Sequence, residues 1–282
     1  FGSRVQACRV MACLASPASE TPVSSRVHDR ARSRSRTSKG CSGWHSQRAP
    51  RPTHFVAARL GRSDELWEPV QKLQAQLVQK DARFQRCLVS RKRFHIALLL
   101  TCVEDHRMRE ARVAFAEAGQ RIREFLCGDA LRLIPTGVGH FKDGRVVYVQ
   151  LRTEPPEILQ AVHHILTRNF ARHGFPVLDT ASQRWLPQGS EPGFFEGHAS
   201  FVKVSKAAAH AQSRADRKAW SALRVPAEDI AAWSAAGWGA EVCSDMELLA
   251  MLGMDHDGYY PRLGRERLPL AAGDVSRCGV NE

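Results

Sequence analysis

Two strand-like segments, Arg91 to Thr101 (RKRFHIALLLT) and Gly197 to Lys206 (GHASFVKVSK), lie about a hundred residues apart, and each carries one histidine near its start. On an extended chain alternate side chains share a face. That parity places His95, Ala97 and Leu99 together in the first segment, and His198, Ser200 and Val202 together in the second. A fold that sets the two segments side by side brings both imidazoles to one cleft.

The rest of the chain reads as alternating elements. Phe55 to Leu60 is strand-like, and Leu66, Val70, Leu73 and Leu77 follow at helical spacing. After the His95 segment, Met108, Ala111, Phe115, Ala118, Ile122 and Phe125 mark a long amphipathic helix that Gly128 can terminate. Leu131 to Phe141 and Val146 to Leu151 form a strand pair turned at Lys142-Asp143-Gly144. A third helix runs from Pro155 through Phe170 to Gly174. Residues 179–197 read as a loop that leads into the second histidine segment and borders the cleft. Beyond Lys206 the Ala-rich stretch and Pro226 to Ala236 predict short helices. A last strand pair, Gly239 to Leu252 with Tyr259 to Leu268, is expected to turn at Asp257-Gly258.

The net charge of +12 suggests a nucleic-acid protein until it is divided along the chain. Residues 1–54 hold ten Lys/Arg against two Asp/Glu, which leaves 31 against 27 in the other 228 residues. A body this mildly basic suits a nucleotide or short RNA better than a long duplex held by many phosphate contacts. Residues 1–51 are Arg/Ser-rich, poor in acids and without apolar periodicity, so a disordered leader is expected there, with an organelle or nuclear address among its possible uses. Phe1 is not an initiator, which puts the start upstream or at Met11. Eight cysteines, at 8, 13, 41, 87, 102, 127, 243 and 278, show no metal-binding or disulfide spacing. Neither cofactor nor metal is expected, and an intracellular protein, cytoplasmic or nuclear, is favoured. The longest apolar run, Ile96 to Leu100, falls far short of the ~18 residues of a membrane span.

The two histidine segments resemble the signature of the two-histidine (2H) phosphoesterases, His-x-Ser/Thr followed by an apolar residue, present once in each of two similar lobes. Here the copies read His95-Ile96-Ala97-Leu98 and His198-Ala199-Ser200-Phe201. The flanking PTHFVAARL (Pro52 to Leu60), Lys203-Val204-Ser205-Lys206 and DGYY (Asp257 to Tyr260) are similar to the branch represented by A-kinase anchoring protein 7. The resemblance implies an α+β, two-lobed, LigT-like fold with antiparallel sheets around a central cleft, occupying residues 52–270 and followed by a tail, 271–282. It implies a metal-independent phosphodiesterase acting on 2′,5′- or 2′,3′-cyclic-type bonds of nucleotides or short RNA. His95 and His198 are then the general acid and base, in an order left open, and Ser200 holds the phosphate. The first copy departs from the pattern at Ala97, where a hydroxyl is usual, and Thr101 stands too far along to replace it. Gly197 also stands where relatives usually have Pro.

The alternative is a module that binds an AMP-like nucleotide without turnover. A scaffolding role has less support, because the kinase-anchoring helix of such proteins is not evident in the short polar stretch 271–282. A monomer is expected.

Bland roles suffice elsewhere. His163 and His164 fall on different faces of a helix, and His54, His106 and His173 read as surface groups. Asp255-His256-Asp257 has metal-ligand residue types but sits where a turn is expected. Arg91-Lys92-Arg93 either attracts phosphate or is a solvated entry to its strand.

Overall fold

The computed structural model of the chain describes residues 51–270 apart from 181, 188, 206–212, 214–217, 221 and 236. The leader before Arg51, the tail 271–282 and most of the Ala-rich stretch after Lys206 lie outside the described residues.

The described chain opens with strand β1 (His54–Arg59) and helix α1 (Asp64–Lys80). Ser63 starts the helix by accepting a hydrogen bond from the Glu65 amide, and acids at Asp64 and Glu65 suit the positive end of its dipole. The expected stripe Leu66, Val70, Leu73 and Leu77 is buried. Strand β2 is His95–Thr101; Arg91–Arg93, expected within it, form a short 3₁₀ turn instead. Helix α2 (Met108–Leu126) ends one residue earlier than Gly128 suggested, on Cys127, which takes the left-handed conformation at φ 50°.

Strands β3 (Leu131–Phe141) and β4 (Val146–Arg152) form the expected hairpin, and Lys142, Asp143 and Gly144 all have positive φ. Helix α3 is Glu157–Arg172. The region read as loop holds a small ribbon, β5 (Val177–Asp179) with β6 (Arg184–Trp185), that extends β2 through Leu100 and Thr101. Strand β7 is Gly197–Lys203, and α4 is Ala227–Ala232.

The expected strand Gly239 to Leu252 is two strands, β8 (Glu241–Cys243) and β9 (Asp245–Ala250), because the chain changes partners at Ser244. β8 pairs with β3 at one end of the sheet, whereas β9 pairs with β1 and with β10 (Arg262–Arg267) at the other. No local feature of one apolar run reveals which neighbours its two halves will meet.

The strand order is β10-β9-β1-β2-β7-β4-β3-β8, antiparallel throughout. It falls into two four-stranded lobes joined between β2 and β7 by one residue pair, Ile96 with Ala199. The fold is thus α+β and two-lobed, with a curled antiparallel sheet around a central cleft. Helix α1 packs behind β7 and α3 behind β2, so each histidine strand is backed by a helix from the other half of the chain. The main core lies between helices and sheet; a small second cluster, Phe55, Ala57, Leu249 and Tyr259, sits with Ala97 and Leu100 on the other face. Among the described residues no helix is long and apolar enough to cross a membrane.

Candidate active site

Side-chain alternation is broken once in each histidine strand. Val56 pairs with Leu99 and Ala57 with Ala97, so Leu98 is an extra residue in β2. Val147 pairs with Val202 and Tyr148 with Ser200, so Phe201 is extra in β7. Both bulges stand three residues after the histidine, and a bulge moves every residue beyond it to the other face. Leu98, Leu99, Phe201 and Val202 are accordingly all in the core. The unbroken parity expected from sequence is corrected here: Leu99 and Val202 do not share a face with the histidines, and their places are taken by Leu100 and Lys203. Thr101 is also turned inward, fully buried, with its hydroxyl donated to the Pro176 carbonyl at 2.7 Å.

Each bulged carbonyl accepts a hydrogen bond from a buried side chain of a helix, and that of Phe201 also accepts from the Val89 amide at 2.9 Å. His163 of α3 donates Nδ1–H to the Leu98 carbonyl at 2.8 Å, and Gln74 of α1 donates from Nε2 to the Phe201 and Val89 carbonyls, each at 2.9 Å. His163 is stacked on Phe195 with ring centres 4.5 Å apart, and its Nε2 has no partner in the described structure. Burial pushes this imidazole's pKa down, because a second ring proton has no acceptor there.

His163→Leu, which removes the side-chain donor to the Leu98 carbonyl, is expected to cost about 1–3 kcal/mol, whereas His163→Gln should recover much of that by donating as Gln74 does. Thermal melts of the two variants check this. The folded His163 resists a proton that the unfolded chain accepts, so stability should fall as pH drops from about 6.5 toward the depressed value. His163→Gln should make that slope shallower.

At the seam, one step either way from Ile96 and Ala199 sets His95 opposite Ser200 and Ala97 opposite His198. The structure therefore brings His95, Ala97, His198 and Ser200 together, with the histidines on the diagonal, a spacing of roughly 7–8 Å in a regular antiparallel pair. Both imidazoles are anchored alike: Nδ1 of His95 lies 2.8 Å from the Arg93 carbonyl, and Nδ1 of His198 lies 3.1 Å from the Glu196 carbonyl. A carbonyl can only accept, so the proton is on Nδ1 in each neutral ring and Nε2 keeps its lone pair.

Desolvation, then the charge of Lys203, brings the His95 pKa down to about 3. Burial also lowers His198, with Lys203 adding to the effect against the opposing pull of the Glu196 carbonyl and carboxylate. Lys203 thus acts on both imidazoles. It is the site residue that sequence parity missed, since five residues from His198 an unbroken strand would point it into the core.

Aromatic rings surround the pair. Phe55 lies 5.3 Å from the His95 ring, with Tyr259 and Tyr260 edge-on at 5.9 Å. Phe141 and Tyr148 stack on each other at 4.4 Å and lie 5.0 and 5.1 Å from His198. The Tyr148 ring crosses Gly139, where a Cβ would stand 2.7 Å from it. Gly197 is equally constrained: a Cβ there would come within 2.6 Å of the Leu151 carbonyl and 2.7 Å of Leu159. That crowding accounts for glycine at the entry to β7.

Other histidines and charges stay outside this group. His54, expected at the surface, is buried and bonded to Thr53 at 2.8 Å, and His173 is half-buried against Glu117 at 2.9 Å. Asp255 and Asp257 accept from the His256 and Tyr259 amides, as a turn requires. Arg91 and Arg93 bind the carbonyls of Gly61, Arg62 and Gly258, so they pin loops. Among the described residues no group of three or more His, Cys, Asp or Glu is arranged to hold a metal ion.

Comparison with curated proteins finds no match. Among solved structures, E. coli LigT complexed with 3′-AMP is similar at 17% identity, covering 78% of this chain and all of that one, with a TM-score of 0.45. TT0787 of Thermus thermophilus matches at 15% identity over 77% of this chain and 98% of its own, TM-score 0.44. The MHV ns2 PDE domain matches at 17% over 54% of this chain and 83% of its own, TM-score 0.38. The AKAP7 2′5′ RNA ligase-like domain family matches residues 52–268, a span that opens just before β1 and closes just after β10. With both histidine copies inside that span, the chain belongs to the AKAP7 2′5′ RNA ligase-like domain family, within the two-histidine phosphoesterases.

Proposed function

We propose that the cleft is a phosphodiesterase site acting on 2′,5′- or 2′,3′-cyclic-type bonds of a nucleotide or short RNA, housed in residues 52–270 of a monomer. The observation that carries this reading is the matched anchoring of two imidazoles at one seam, each Nδ1–H given to the carbonyl two residues upstream and each Nε2 left for chemistry. An imidazole needs no metal to move a proton. We assign His95 the role of base, since burial and Lys203 both hold its imidazole neutral, and His198 the role of acid, since the Glu196 carbonyl and carboxylate favour its proton.

In hydrolysis, His95 Nε2 takes a proton from water as the water oxygen bonds to phosphorus. The bond from phosphorus to the leaving ribose oxygen breaks, and protonated His198 gives that oxygen its Nε2 proton. The arriving phosphate's negative charge favours the protonated form of His198, offsetting the burial that keeps it neutral in the free protein. Ser200 donates to a non-bridging oxygen, and Lys203 stabilises the charge that these oxygens carry. Incubating the full chain with 2′,5′-, 3′,5′- and 2′,3′-cyclic substrates, while measuring bound nucleotide in parallel, tests the reading. Product from the first or third class supports it, and binding with no product from any class removes it.

One observation favours the second reading, a nucleotide-binding module. Ala97, opposite His198, supplies no hydroxyl where its counterpart Ser200 does. Ala97→Thr would restore a donor to a charged oxygen, an interaction worth about 1.5–3 kcal/mol, or on the order of ten- to a hundredfold. If the bond strengthens in the transition state, kcat rises by that factor; if it forms equally in the ground state, only affinity improves. A folded variant unchanged in both would remove Ala97 from the phosphate's surroundings.

A further inference from the structure

Beside His198 lies a cavity of about 260 Å³ lined by Phe141, Thr180, Phe194, Glu196 and His198. Phe194 is 72% exposed and Phe141 is 37% exposed, so two of the few large apolar side chains left in water among the described residues line one small pocket. Such exposure costs free energy unless something covers it. The volume is below the ~300–1,000 Å³ of pockets for drug-sized molecules and suits one planar ring system. Phenylalanine faces stack on any nucleobase, which makes the two rings a platform without a choice of base.

The choice comes from the polar groups. An ionised Glu196 can only accept, with two oxygens to offer, and the Thr180 hydroxyl can donate. The edge of guanine matches this set: N1–H and the N2 amino group donate side by side, and O6 accepts. Adenine turns the bare lone pair of N1 toward the carboxylate, and uracil flanks its one N–H with two carbonyls. We propose that this pocket is a guanine-selective base subsite, holding the nucleotide bonded through the ribose oxygen nearest His198. The proposal rests on the phosphodiesterase reading for what happens next to the base, and it adds which base is held.

The test uses the full chain and the 2′,5′-linked dinucleotides ApA, ApG, GpA and GpG, with 3′-GMP and 3′-AMP as binding probes. Guanine in one of the two positions should raise kcat/KM over ApA on the order of ten- to a hundredfold, the range of charge-assisted hydrogen bonds. The ratio of the Kd values for the two mononucleotides should favour 3′-GMP in the same direction. Glu196→Gln presents one acceptor and one donor, the complement of adenine, so the ratio should collapse to near one or invert. Glu196 and Phe194 are exposed, and neither change threatens the core. Phe194→Ala should weaken 3′-GMP and 3′-AMP by similar factors, since stacking is indifferent to the edge. Equal Kd values in the parent chain, or a guanine preference that survives Glu196→Gln, would overturn the proposal. If none of the dinucleotides is cleaved, the phosphodiesterase reading fails by itself, and the Kd ratio still decides the subsite.

Discussion

Alanine at either His95 or His198 is expected to lower turnover by 10²- to 10⁴-fold, the usual worth of one positioned proton transfer. The double variant should be scarcely worse than either single one, because a base without its acid moves no proton through the reaction. Folding should survive both changes: each ring is half-buried and hydrogen-bonded only to a local carbonyl. The pH profile carries a sharper expectation. The productive free protein needs His95 neutral, which holds above about pH 3, and His198 protonated, which holds only below a pKa lowered from 6.5. Hence kcat/KM should peak on the acid side of 6.5. The limb seen in kcat should lie higher, since bound phosphate favours the imidazolium. An activity within tenfold of the parent in His95→Ala or His198→Ala would falsify the assignment of that histidine.

The second large effect is expected at Lys203. Lys203→Met keeps the apolar stem and removes the charge, and turnover should fall roughly ten- to a hundredfold if the ammonium stabilises phosphoryl oxygens in the transition state. The pH profile supplies an independent readout. Lys203 depresses both imidazoles, so its removal should raise their pKa values and move the kcat/KM optimum toward neutrality. A slower enzyme with an unmoved optimum would place Lys203 in a structural role, away from the histidines. An optimum that moves with no loss of rate would leave it tuning the imidazoles without touching phosphate.

Much of this architecture is legible in the sequence, for local reasons. The Leu66, Val70, Leu73, Leu77 stripe and the Met108 to Phe125 stripe each bury one helical face. Lys142-Asp143-Gly144 turns its hairpin because the fold needs three residues at positive φ there. Four of the seam residues, His95, Ala97, His198 and Ser200, also follow from parity, because they all precede the bulges. The division of Gly239 to Leu252 into β8 and β9 is not legible, since each half is defined by strands far away in the chain.

The same limit separates Ser200 from Lys203. By itself the sequence determined the two histidine strands, the helices behind them and the family, because period-2 and period-3.6 patterns and short motifs are local properties of the chain. Only the tertiary structure decided which residues beyond Ala97 and Ser200 face the cleft. The Leu98 carbonyl accepts from His163, 65 residues away, and the Phe201 carbonyl from Gln74, 127 residues away, and from the Val89 amide, so distant groups hold both bulges. A strand cannot show in its own sequence a bulge that distant side chains hold in place, and that bulge is what puts a lysine beside two histidines.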